Sequence, residues 1–177
     1  VSEVRRLPAA DLARLGEIDR SEHVTRLYTF RGGVLEERAI DDHVPPWSRE
    51  GRGAHSVQRL VDQWLPVLER GGTLLGEFAG PTLSGLAIYR PRLAEDMGQL
   101  ALLHVSRGAR RKGVASRLTH EVARLARADG ARRLYVSATP TGSAVGFYRR
   151  FGFVPTAEPD PEQFALEPED IHMVLAL

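Results

Sequence analysis

The stretch of this chain best equipped for chemistry runs from Leu100 to Ala115. There an apolar run, ALLHV, leads into Arg110, Arg111, Lys112 and Gly113, and then into an amphipathic segment. A strand that feeds a glycine-containing turn and a helix N-terminus makes an anion site. The amides of the first helical turn lack intrahelical partners, the macrodipole adds partial positive charge, and Gly113 lets a ligand approach the backbone. Three cations add formal charge. The phosphate loop of nucleoside triphosphatases does not fit: Gly108 and Gly113 have the right separation, but Val114 stands where that loop needs lysine. No GxGxxG occurs either. On this segment alone, a solvated basic rim explains the residues as well as a bound anion does.

Charge is distributed unevenly around this stretch. Residues 1–100 carry 13 Arg against 15 acids, residues 101–150 carry 11 basic against 2 acidic side chains, and residues 151–177 carry 6 acids and no base. A basic segment of this density attracts polyanions. Aromatic side chains, which would interleave with bases, are absent from 107–133, so a compact phosphate suits the segment at least as well as nucleic acid. The chain has no cysteine, which excludes disulfides, a thiol nucleophile and thiolate zinc sites. His23, His43 and His55 are scattered without HExxH-like spacing, so no metal is expected.

With 177 residues, 42% of them hydrophobic, the chain reads as one globular domain over 1–177, able to bury roughly 70% of its unfolded surface. No apolar run approaches 18 residues, and the N-terminal stretch is charged where a signal peptide is apolar. These features predict a soluble, cytoplasmic protein with no membrane partner. Of the basic residues 23 are Arg and one is Lys, a codon-level pointer to a GC-rich, bacterial genome.

Several elements must position the anion turn. Alternation predicts a strand over 3–7, and Pro8 opens a helix with Leu12, Leu15 and Ile18 on one face. Segments 26–30 and 34–40 flank Gly32-Gly33 as a hairpin. Ser56 caps a helix whose Leu60, Val61, Trp64, Leu65 and Leu68 form an apolar stripe, with Pro66 expected to kink it or shift its register. A second hairpin spans 73–79 and 82–89, followed by a strand over 98–105. Val114, Leu118, Val122 and Leu125 mark a helix ending near Gly130. A strand over 133–138 leads to a short helix capped by Thr141 or Ser143 and stopped by Gly152. Residues 155–170 hold four prolines and read as loop, and 172–177 closes as a strand.

Two of these segments carry a resemblance. Arg110-Arg111-Lys112-Gly113-Val114-Ala115 matches the pyrophosphate loop Q/R-x-x-G-x-G/A of the GNAT superfamily of N-acetyltransferases. Ala144-Val145-Gly146-Phe147-Tyr148, followed by Phe151-Gly152-Phe153, is similar to the family's second motif, A-x-x-F-Y with a terminal G-F. The resemblance covers 73–154; residues 1–72 match in layout alone. It implies an α/β (α+β) fold, in which a mixed, mostly antiparallel sheet has helices on both faces and a splay between the two central strands, 98–105 and 133–138.

The resemblance also implies acetyl-CoA as acyl donor, bound by the core 98–154. Its pyrophosphate would lie on the amides of Arg111 to Ala115, within the stretch Arg110, Arg111, Lys112, Gly113, Val114, Ala115 and Ser116. Its pantetheine would pair with the backbone of Leu103 and Val105, and Thr141 and Phe147 would add contacts. Direct transfer from a thioester to an amine needs a neutral nucleophile, a polarised carbonyl and a proton for the leaving thiolate. The amide of Val105 would polarise the carbonyl and Tyr148 would supply the proton; read without the resemblance, Tyr148 is also a plain core aromatic at helical spacing.

Two positions depart from the family pattern. Gln99 stands where many relatives carry a catalytic Glu, and Thr141 where Asn is common. Asp19, Glu22 and Glu77 are alternative bases, Glu22 foremost, and a water relay or an amine that arrives neutral would also serve. His104 faces opposite to Leu103 and Val105 and reads as a satisfied interior imidazole. The acceptor side, 19–52, holds Asp19, Tyr28 and Trp47, acids and aromatics that suit a cationic amine. The expected acceptor is a small-molecule amine or a peptide N-terminus. The rival readings are a non-catalytic acyl-CoA sensor of the same fold and a basic nucleic-acid-binding domain. Exposed strand edges are compatible with a homodimer.

Overall fold

The computed structural model describes residues 2–177. In chain order these form β1 (Ser2–Leu7), a 3-10 helix (Ala9–Glu17), β2 (Glu22–Arg31), β3 (Val34–Val44), α1 (Val57–Glu69), β4 (Thr73–Ala79), β5 (Thr82–Ala94) and β6 (Met97–Val105). A 3-10 turn (Arg107–Ala109) then leads to α2 (Val114–Ala128), β7 (Arg133–Ala138), α3 (Gly142–Phe151), β8 (Val154–Pro155), α4 (Pro161–Leu166) and β9 (Ile171–Ala176). Among the described residues seven strands form one sheet in the order β1-β4-β5-β6-β7-β9-β8, while β2 and β3 pair apart from it. Of these described strand pairs, β6–β7 alone is parallel.

The two faces of this sheet follow from strand alternation. On β5, Leu86 and Ile88 join Leu12, Leu15 and Leu68 beneath the first 3-10 helix and α1. Ala87 and Tyr89 point the other way, to Leu118, Val122 and Leu134 under α2 and α3. Leu118 and Val122 are fully buried; truncating Leu118 to Ala would cost roughly 2–5 kcal/mol through lost transfer energy and a residual cavity.

The site owes its shape to one irregularity. Tyr89 pairs with Leu100 and Ile88 with Leu102, so β6 has one residue more than β5 at Ala101. Such a bulge bends and over-twists its strand. It also flips the alternation, sending Leu100 to the α2 face and Leu102 to the α1 face. Two residues before it, at Gln99, pairing with β7 ends: the register runs Met97↔Arg133, Gly98↔Leu134, Gln99↔Tyr135 and no further. From Leu100 onward β6 diverges, opening the expected splay.

The expected first helix takes 3-10 form, and Pro66 sits inside α1, which continues to Glu69. One expectation needs correction. The stretch 155–170 is not simply loop: Pro161 occupies the first turn of α4, where its missing N–H costs nothing, and the Asp160 carboxylate accepts from the Gln163 amide at 3.0 Å.

Candidate active site

At the end of β6, Ser106 donates its amide to Ser84 O at 2.9 Å, and Arg107 donates to Asp19 O at 2.7 Å, pinning the turn to neighbouring elements. Arg111 then takes a left-handed conformation at φ 61°, and Gly113 follows at φ 82° as the N-cap of α2. For arginine that conformation is strained by about 1–2 kcal/mol, and such strain concentrates at functional sites. No side chain caps α2, so the amides of its first turn remain available to an anion. Over 110–116 the chain thus passes from a turn into an uncapped helix start.

The three cations have different jobs. Arg110 turns inward: its Nη2 donates to Arg20 O at 2.9 Å, its Nε to Val105 O at 3.3 Å, and its Nη1 lies 3.5 Å from the Glu22 carboxylate. Lys112 donates to Gly108 O at 2.7 Å and closes the turn. Arg111 projects into solvent. Behind the loop, Arg117 reaches Glu77 Oε1 at 2.6 Å and Lys112 O at 3.0 Å, fastening α2 and the loop to β4. Glu77 is 1% exposed and held by this guanidinium. Neither Glu22 nor Glu77 is therefore a lone carboxylate.

Thr141 caps α3, its hydroxyl accepting from the Ala144 amide at 3.3 Å, and Gly152 ends the helix at φ 116°. Between them Tyr148 is buried, in edge contact with Phe147 and Phe153. Its hydroxyl makes no hydrogen bond to any described residue. Burial, with Asp170 nearby, pushes its pKa above the usual phenol range, so it stays protonated at neutral pH. A cleft of about 300 Å³ between α2 and α3 is lined by Ser116, His120, Phe147, Arg150 and Phe151, bringing two expected donor contacts together.

The expected acceptor residues are each engaged with other residues and not with one another. Asp19 accepts from the Ser21 amide at 3.0 Å, which with the Ser21 hydroxyl lowers its pKa. Tyr28 donates to Glu37 at 2.7 Å. The Arg20 guanidinium lies 3.8 Å over the Trp47 ring, and Trp47 meets His104 edge-on at 5.1 Å. His104 does face opposite to Leu103 and Val105, but ring packing rather than a hydrogen bond holds it. Burial first, then Arg20 and Arg110, depress its pKa to about 4, so it is neutral. The opening beside Tyr28, about 390 Å³ between β2 and α3, is lined by Arg26, Arg149 and Arg150. Its rim is cationic rather than acidic.

Sequence reasoning missed a polar layer under residues 156–172. Gln99, 1% exposed, donates to Gln163 at 2.7 Å, which occupies the side chain that replaces the family's glutamate. Tyr135 lies 2.6 Å from His172 Nδ1, and His172 Nε2 lies 3.0 Å from Glu167 O. A carbonyl only accepts, so Nε2 carries the proton and Tyr135 donates to Nδ1. Burial lowers the His172 pKa and pushes that of Tyr135 up to about 12. Next to them Ser137 donates to Asp170 at 3.0 Å. A clustering of Tyr135, Ser137 and His172 on the alternate face of β7 and β9 was available from period-two spacing; the approach of Asp170 was not.

One group of side chains approaches metal-ligand spacing. His23, Asp41 and His43 lie on β2 and β3 with ligand atoms within 4.8 Å of one another. The two rings are stacked 4.5 Å apart with planes 8° from parallel, and His23 already bonds Asp41 at 2.7 Å. Parallel rings keep their lone pairs side by side, so holding an ion would first require ring rotation.

No curated protein matches the chain. Solved structures of similar shape include nourseothricin acetyltransferase, at 17% identity over 99% of this chain and 98% of that one, with a TM-score of 0.71. A Bacillus anthracis protein described as a streptothricin acetyltransferase, in complex with acetyl coenzyme A, shares 16% identity over 100% and 99%, TM-score 0.71. The PaiA N-acetyltransferase of Thermoplasma acidophilum, in complex with coenzyme A, shares 18% over 100% and 99%, TM-score 0.64. The sequence model of the acetyltransferase (GNAT) family matches residues 35–153, spanning the bulged strand, the anion turn and the Tyr148 helix. With two thirds of its length under that match and the splay and turn in place, the chain belongs to the GNAT family of acetyltransferases.

Proposed function

We propose that the chain transfers an acetyl group from acetyl-CoA directly to the amine of a small molecule or a peptide N-terminus, with both substrates bound together. The observation that carries this reading is the combination of three features: the β6–β7 splay, the uncapped N-terminus of α2, and a buried tyrosine whose hydroxyl bonds no described residue. The residues fit the donor. Amides from Arg111 to Ala115 receive the pyrophosphate, Arg111 adds charge from solvent, and Ser116 and Phe147 line the cleft. The edge of β6 released by the splay, from Leu103 to Val105, offers backbone groups to the pantetheine amides, as a further strand would.

In the transfer, the amine nitrogen attacks the thioester carbonyl, the C–N bond forms and the C–S bond breaks. The amide of Val105 stabilises the developing oxyanion. Tyr148, held protonated by burial, gives its proton to the departing sulfur, and the nitrogen proton then restores the phenol. With no cysteine in the sequence for an acyl-enzyme, sequential kinetics are expected. Thermal unfolding tests the donor first. At about 100 times Kd, acetyl-CoA should add roughly 2.7 kcal/mol, a Tm rise of about 5–10 °C that ATP does not reproduce. Thiol release is then followed over nourseothricin, an alanine-starting peptide and simple primary amines.

A second reading keeps the binding and drops the turnover: an acyl-CoA sensor, favoured by the amide of Gln99 bonded to Gln163. A Tm rise without thiol release for any amine would select it.

A further inference from the structure

We propose that Asp170 accepts the proton of the incoming amine, replacing from β9 the carboxylate that Gln99 does not supply. This inference rests on the transfer reading above. Ile171 pairs with Ala138, so Asp170 stands immediately before β9, at the end of β7 where the splay is open. Ser137 holds one carboxylate oxygen at 3.0 Å, and the other makes no hydrogen bond to a described residue.

Asp170 has no cationic partner among the described residues. Glu77 pairs with Arg117, Glu22 with Arg110, Asp96 with Arg132 and Arg133, and Glu121 with Arg124. Asp170, like Asp11 and the helix-capping Asp160, makes no ion pair with a described residue, and unlike Asp160 its carboxylate accepts no backbone amide. The groups that influence it are Glu167, whose negative charge opposes ionisation, and Ser137, whose hydrogen bond favours it. Tyr148 and Tyr135 lie close enough for its charge to raise their pKa values, and the adjacent His172 is kept neutral. Burial is the largest of these influences and raises the Asp170 pKa to about 7. A carboxylate that is costly to bury without a countercharge, and stands beside the end of β7 beyond its pairing with β6, is completed by a cation that arrives with the substrate. An alkylammonium is that cation.

The strap 156–170 keeps this carboxylate in place. Gln163 bonds Gln99, the Asp160 amide donates to the Tyr135 hydroxyl at 3.1 Å, and His172 bonds Glu167 O. The proton balance closes: the Asp170 carboxylate takes one proton from RNH3+, the free amine attacks, and the tetrahedral adduct collapses as Tyr148 protonates sulfur. The remaining nitrogen proton returns to Tyr148, and Asp170 releases its own to water. The net change is RNH3+ plus acetyl-CoA to the amide, the free thiol and one H+.

The test has two arms. In the first, the full chain labelled with 13C at the aspartate carboxyls is titrated by NMR, with Asp170→Asn identifying the resonance. A midpoint near 7 is expected, and one below about 5, in the ordinary carboxylate range, overturns the inference. In the second, using whichever panel amine wild type acetylates fastest, Asp170→Asn lowers kcat at pH 7 by about 100-fold or more. It removes the acid limb of the kcat/KM profile while acetyl-CoA affinity stays within about threefold. Wild-type kcat in this variant overturns the inference. Should Asp170→Asn not fold, Ser137→Ala serves: losing a hydrogen bond to the charged form moves the acid-limb pKa up by about half a unit or more, and an unmoved limb overturns the inference. If wild type shows neither a Tm rise with acetyl-CoA nor thiol release, the transfer reading itself fails, which is a distinct result.

Discussion

The half of the molecule from β6 to α3 and the ribbon formed by β2 and β3 solve different problems. On the β6–α3 side the ligand-facing groups are mostly backbone: amides at an uncapped helix start and the edge of a bulged strand. They are held by side chains such as Leu118, Val122 and Val145 with no exposed surface. The ribbon forms a two-stranded sheet of its own, bridged to the rest at Leu27 and Tyr28, most of β3 is exposed, and its chemistry resides in side chains. A backbone site tolerates change poorly, because moving it means moving the core. A side-chain site on a ribbon can be altered residue by residue.

The sharpest way to break this comparison is at Gly113. A Cβ there would sit 2.6 Å from Arg117 Nη1, at a φ that side chains rarely adopt. Gly113→Glu should weaken acetyl-CoA binding by more than about 100-fold by calorimetry, through bulk, strain and like charge. Retained affinity would mean that the turn does not hold the donor. Next in size, Tyr148→Phe should lower kcat about 100-fold and leave the acetyl-CoA Kd within about threefold; an unchanged kcat removes the acid role.

A third prediction concerns pH. Because the folded pKa of Asp170 is raised from 3.8 to about 7, the native state binds more protons than the unfolded state between those values. Stability from this group is therefore present at low pH and lost as pH rises through about 7. Asp170→Asn should raise Tm at pH 8 by a few degrees, with the difference closing toward pH 4, in a scanning series across that range. Smallest of all, replacing Gly32 and Gly33 with Ala should lower Tm by only a few degrees through left-handed strain, because a Cβ at either meets nothing within 4 Å. Donor affinity should not move, and a change in it would show that the two regions are not separable.

Legibility followed the same division. The β7 limits, the Ser56 and Thr141 caps and the glycines at 113 and 152 were readable because each depends on local chemistry: a cap oxygen, a positive φ, or alternation. Even the 3-10 helix had a signal, since Leu12, Leu15 and Ile18 recur every three residues, the period of that helix. The bulge at Ala101 had none, because ALLHV is apolar on both faces and hides a register slip. Prolines in 155–170 were read as breakers, although Pro161 after Asp160 is equally a helix start. Asp170 was invisible for a deeper reason: its chemistry comes from lacking a partner, and which acids find arginines is settled only by tertiary packing.

The ribbon's attachment has a consequence for how such a protein diversifies. Midway along its length it is joined to the cap of the Tyr148 helix, through the Leu27–Thr141 bridge and the Tyr28 amide on Pro140 O at 2.7 Å. At its tip, a Cβ added to Gly32 or Gly33 would meet nothing within 4 Å. Insertions and exchanges at these glycines carry little folding penalty, while those at the joined middle disturb the helix that bears the acid. Lineages descending from this chain should therefore vary at the tip and keep the middle, trying out new acceptors while the chemistry beneath stays in register.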